Sequence, residues 1–152
     1  EYIFNIKKLL KSKTTIENVK LNAKANIFWS SGWTKVYSFL DTATIIYDSR
    51  VSAFLNHTLT YKTTYTNQQK DTLLKLTKNL YNFSGAVERE RLVGKEFGYT
   101  NQHPSDIKGF NANLIASWIV QLLKKRLKLT QNYRLFERSF FMLGFDLKQI
   151  KD

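Results

Sequence analysis

The chain has no cysteine, a single proline and only six glycines. Without cysteine there is neither a disulfide framework nor a thiolate zinc site. So few glycines and prolines leave little material for the many tight turns of an all-β sandwich, and helices are expected instead. The only histidines, His57 and His103, stand far apart and outside any ligand spacing, so no metal and no organic cofactor is expected. The longest apolar run, Leu114 to Val120, falls far short of the ~20 residues that span a bilayer. No secretory pattern is visible at the start. The expectation is a soluble, cytoplasmic protein with no membrane partner; the chain opens on Glu1 rather than methionine, which leaves room for upstream residues.

Acidic residues are also scarce. Twelve of them face 24 lysines and arginines, for a formal charge of +12. The imbalance is local as well as global. Asp71 is the only acid between Ser49 and Val87, and Ile107 to Phe136 contains none. Such stretches create a positive field that attracts polyanions, and nucleic acid, DNA foremost, is the expected partner.

What is present is 43% hydrophobic and 14% aromatic residues, enough for an ordered core. At 152 residues the whole chain, 1–152, reads as one helical domain that can bury roughly 70% of its surface. Ile3, Ile6, Leu9 and Leu10 recur at helical spacing. Thr14-x-x-Glu17 has the form of a capping box that starts a second helix. Gly32 suits a turn after it, and Thr34 suits the cap of the next helix. "ATIIY" reads as a short extended connector, after which Asp48 or Ser49 caps a helix that turns Val51, Phe54 and Leu55 inward.

Residues 67–83 form another amphipathic pattern. Residues 84–111, with four glycines and the proline, read as a loop-rich excursion. From Ala112 to Leu129 the chain is apolar nearly all round until "KKRLK", which predicts a buried central helix with a basic end. A last helix presents Leu135, Phe136, Ser139, Phe140 and Leu143 and stops at Gly144. The fold class is all-α: a compact multi-helix domain with at most a short extended connector.

"GWTKVYSFLD" followed by "IIYDSRV", together with the closing "RLFERSFFMLG", resembles the helix-hairpin-helix DNA glycosylase superfamily, in its 8-oxoguanine glycosylase-like branch. Trp33 stands where that family's hairpin has its second glycine. The resemblance implies a glycosylase-type fold and a base-excision glycosylase with AP lyase activity. It places Lys35 at the nucleophile's position and Asp48 at that of the partner aspartate. A lysine amine would attack the sugar of a flipped nucleotide and form a Schiff base, while an aspartate would stabilise the developing positive charge.

Gly32, Trp33 and Thr34 of the hairpin, Arg50, and the basic end Lys124, Lys125 and Arg126 are the candidate nucleic-acid contacts. Each has a plainer role. Trp33 can be core packing around a turn, Arg50 can pair with an acid, and Lys124 to Arg126 suit the negative end of a helix dipole. Asp48 before a serine is the ordinary place for an N-cap. Two other functions compete with excision: a non-catalytic DNA-binding module of the same fold, within a larger assembly, and a basic helical domain that meets an acidic protein.

Overall fold

The computed structural model describes residues 2–11, 27–60, 66–69, 71–72, 80, 105–130, 132–145 and 147. Among them the regular elements are all helical: α1 (Tyr2–Lys11), α2 (Ser31–Leu40), α3 (Ser49–Thr60), α4 (Asp106–Arg126) and α5 (Tyr133–Leu143). Residues 67–69 and 71–72 are helical as well, in keeping with the amphipathic pattern there. The expected capping box at Thr14 and Glu17 lies outside the described residues, as do most of the 67–83 pattern and residues 84–104. No described helix is long and apolar enough to cross a membrane.

α1 buries Ile6 and Leu10 but leaves Ile3 53% exposed, so its inward stripe is narrower than the sequence predicts. The α2 boundary differs too. Ser30, in extended conformation, is its N-cap and accepts from Trp33 N at 3.2 Å. Gly32 is therefore a residue of the helix rather than a turn, and Thr34 lies one turn inside instead of at the cap. A serine hydroxyl three residues before an available N–H wins the position, as capping chemistry favours. α3 starts as expected, with Val51 and Leu55 buried.

α4 begins six residues earlier than the apolar pattern suggests, at Asp106. Its aspartate sits in the first turn, where the helix dipole favours a negative charge, and also accepts from Trp29 N at 3.2 Å. Gly109, which reads as a loop signal, is needed for close packing. A Cβ there would lie 2.1 Å from Cδ2 of the Trp29 ring. The helix is buried from Gly109 to Ser117 and again at Val120, then emerges, leaving Leu122 and Leu127 each 60% exposed.

α5 turns Phe140 and Glu137 inward; Leu135, Ser139 and Leu143 are exposed, unlike the predicted face. Glu137, only 6% exposed, is held by Arg134 at 2.6 Å, one turn before it, rather than by its neighbour Arg138. Arg134 also donates to the carbonyl of Ser38, which ties α5 to α2. α5 ends at the C-cap Gly144, as expected. It packs on α3 through the Phe54 and Phe140 rings, with centroids 4.9 Å apart.

The connector 44–48 has neither helical nor strand structure. It lies on α4, whose side chains satisfy its backbone. Asn113 Nδ2 donates to the Ile45 carbonyl at 2.7 Å, and Ser117 Oγ accepts from Ile45 N at 3.1 Å. Gln121 Nε2 reaches the Ala43 carbonyl at 3.4 Å.

Candidate nucleic-acid interface

Lys35 lies in α2 with an exposed side chain. Asp48 is half-buried at the start of α3, where its Oδ1 accepts from Arg50 N and Val51 N, both at 3.0 Å. It is thus the N-cap of α3. No hydrogen bond or ion pair joins Lys35 to Asp48 among the described residues.

Of the three candidate contacts at the start of α2, Trp33 and Thr34 are used by the fold itself. Among the described residues a Cβ on Gly32 would meet only Ser30 Oγ, at 3.5 Å, so none of them demands a glycine there. Trp33 stacks on Phe28 and Tyr37, at 5.8 and 6.0 Å between centroids, and meets Tyr2 edge-on. Thr34 is fully buried, donates its hydroxyl to the Ser31 carbonyl at 3.0 Å and its N–H to the Ser30 carbonyl at 3.0 Å. Its side chain therefore faces the core, not a backbone phosphate.

The same aromatic cluster grips residue 28 by both backbone groups. Phe28 N donates to the Tyr2 hydroxyl at 3.2 Å, and the Tyr37 hydroxyl donates to the Phe28 carbonyl. Burial, and then the adjacent Tyr2 hydroxyl, push the ionisation of Tyr37 well above the ordinary tyrosine range. Tyr37 stays neutral and serves as a structural donor.

Arg50 is not paired with an acid among the described residues. Its guanidinium lies over two rings, 4.1 Å from the Phe141 centroid and 4.7 Å from that of Phe145.

The basic end of α4 is open to solvent at Lys125, Arg126 and Lys128, and none of these forms an ion pair among the described residues. Lys124 is half-buried, its Nζ 4.6 Å from the centre of the Tyr133 ring. Beyond Arg126 the chain closes the helix with two bonds, Leu129 N to Lys124 O at 3.0 Å and Lys128 N to Lys125 O at 3.3 Å. This is a Schellman closure, and it requires a left-handed residue. That residue is Lys128, with φ 51°.

Beside this end an open groove of about 490 Å³ runs between α4 and α5, lined by Trp118, Gln121, Leu122, Lys125 and Tyr133. The four α4 residues follow i, i+3, i+4, i+7 spacing and so form one face. This face is hidden in the sequence because Trp118 and Leu122 look like more of the buried helix. The glutamine and lysine in the same stripe are the signal that it is not core. Neither Lys35 nor Asp48 lines the groove. Among the described residues no cluster of His, Asp or Glu is arranged to hold a metal. Compared with protein-family models, curated proteins and solved structures, the chain matches none.

Proposed function

We propose that the chain binds nucleic acid, DNA in the first instance, through the basic end of α4 and the groove beside it. The observation that carries this reading is the run Lys124, Lys125, Arg126 and Lys128 at one helix end, with its three exposed cations unpaired among the described residues. Helix-dipole complementation explains cations in a last turn, at roughly 0.3–1 kcal/mol each. It does not ask for a further lysine at a left-handed position, where glycine is easier. Strain retained beside an unpaired cationic surface is the pattern of a site kept for binding.

The test is oligonucleotide binding as a function of salt. Each phosphate contacted adds roughly 0.7–0.9 to the slope of log K against log salt. Replacing Lys125, Arg126 and Lys128 together by glutamine should weaken binding and lower the slope by about 2 to 3. No binding at low salt, or an unaltered slope, would remove the proposal.

Base excision is the second reading. It is favoured by the helix–connector–helix layout of residues 31–60, with an exposed lysine on the first helix and a carboxylate starting the second. Asp48 Oδ2 makes no hydrogen bond among the described residues. Lys35 would attack C1′ of a flipped nucleotide, expel the base and carry the sugar as a Schiff base, with Asp48 offsetting the positive charge. Borohydride trapping on damaged or abasic strands decides this reading. An adduct lost in Lys35→Ala supports it, and binding without any adduct leaves a non-catalytic module. Excision ranks second because the groove contains neither residue.

A further inference from the structure

Resting on the nucleic-acid reading, we infer that the groove between α4 and α5 holds an unpaired nucleobase, so that the protein prefers single strands to duplex. The groove has an aromatic side chain on each helix, Trp118 on α4 and Tyr133 on α5. Both are half-buried, which fixes their rings while leaving surface uncovered. Leu122, 60% exposed, supplies an apolar rim that nothing in the described structure covers. A flat, weakly polar ring is the complement of such walls, and base–aromatic stacking is tolerant of sequence.

The polar groups of the groove suit a base and its phosphate. Gln121 is anchored through Nε2 to the Ala43 carbonyl, which leaves Oε1 to accept from an exocyclic amine or ring N–H. Lys125 lines the same space, next to Arg126 and Lys128. A base between the walls would place its strand against these cations. An acidic peptide would satisfy the charge and not the rings; an apolar peptide would satisfy the rings and leave the cations unmatched. Paired bases present edges rather than faces, so duplex does not offer the group that the walls accept.

The experiment measures affinity by anisotropy for three probes of equal length: oligothymidylate, a fully abasic strand, and duplex. Wild type should hold oligothymidylate more tightly than either of the others. Trp118→Leu and Tyr133→Leu should each weaken oligothymidylate binding roughly 10-fold, a stacking-sized effect. Both should leave the abasic strand unchanged. Leu122→Gln, a neutral change at an exposed position, should weaken oligothymidylate and not the abasic strand, and guards against misfolding of the ring variants.

Equal losses on thymidylate and abasic strands, or no loss on either, would overturn the base site while leaving the basic surface standing. Polyglutamate that displaces oligothymidylate as well as unlabelled thymidylate does would also overturn it, in favour of an acidic protein. Wild type that binds no probe at low salt would remove the nucleic-acid reading itself, and the base site with it.

Discussion

The side-chain amide of Asn113 donates to the carbonyl of Ile45 at 2.7 Å, across 68 positions of sequence, with both residues fully buried. Ser117 completes the pair, accepting from Ile45 N and donating to the Asn113 carbonyl at 2.7 Å. Three α4 side chains spaced by four residues thus do for the connector what a neighbouring strand would do. Buried backbone groups must find partners somewhere. Asn113→Leu keeps the branched shape and removes the donor, stranding the Ile45 carbonyl, so urea unfolding should show a loss of about 1–3 kcal/mol. Ser117→Ala should cost a similar amount, and the double variant less than the sum, because both act on one residue's backbone.

Two glycines should respond oppositely to alanine. At Gly144 an added Cβ would lie 2.0 Å from the Arg50 carbonyl oxygen, on the backbone of α3. Backbone cannot swing aside as a side chain does, so Gly144→Ala must push α5 off α3, at about 1–3 kcal/mol. At Gly32 the added methyl meets, among the described residues, only Ser30 Oγ, in ordinary contact. Gly32→Ala inside α2 should therefore stabilise the fold by about 0.5–1 kcal/mol. Thermal melts of the two variants check both signs.

Lys128→Gly should separate stability from binding. Relieving a left-handed lysine should raise stability by roughly 1–2 kcal/mol, while losing one exposed cation should lower the salt slope of oligonucleotide binding by about 1. A variant both less stable and unaltered in binding would contradict the role given to this residue.

The helices whose start or stop has local chemistry were legible in the sequence. Asp48 at the start of α3 and Gly144 at the end of α5 are where capping rules put them. The boundaries of α2 and α4 were not, because glycine has two meanings. Gly32 and Gly109 read as breaks, yet one is a tolerated helical residue and the other makes room for the Trp29 ring. Nothing local distinguishes these cases; the ring that demands Gly109 is 80 positions away. The inward face of α5 was misjudged for a related reason. Glu137 is buried only because Arg134 accompanies it, and no hydrophobicity pattern assigns a carboxylate to a core. The positive charge of the candidate interface was visible in the composition. Its groove was not, since it exists only where α5 starts beside the emerging end of α4.

His57 makes the pH dependence of stability predictable. It is half-buried in α3, and desolvation lowers its pKa from the ordinary value of about 6.5. The folded state therefore resists a proton that the unfolded chain accepts. Stability rises with pH wherever the unfolded state binds more protons. The contribution of this group is thus complete above about pH 6.5 and declines as the pH falls from there through the lowered folded-state pKa. Carboxylates add their own acid sensitivity, but they do so equally in wild type and in His57→Gln. The difference between the two melting temperatures isolates the histidine: it should be constant on the alkaline side of the window and shift against wild type on the acid side. Parallel curves across the whole range would mean that this ring titrates alike in both states.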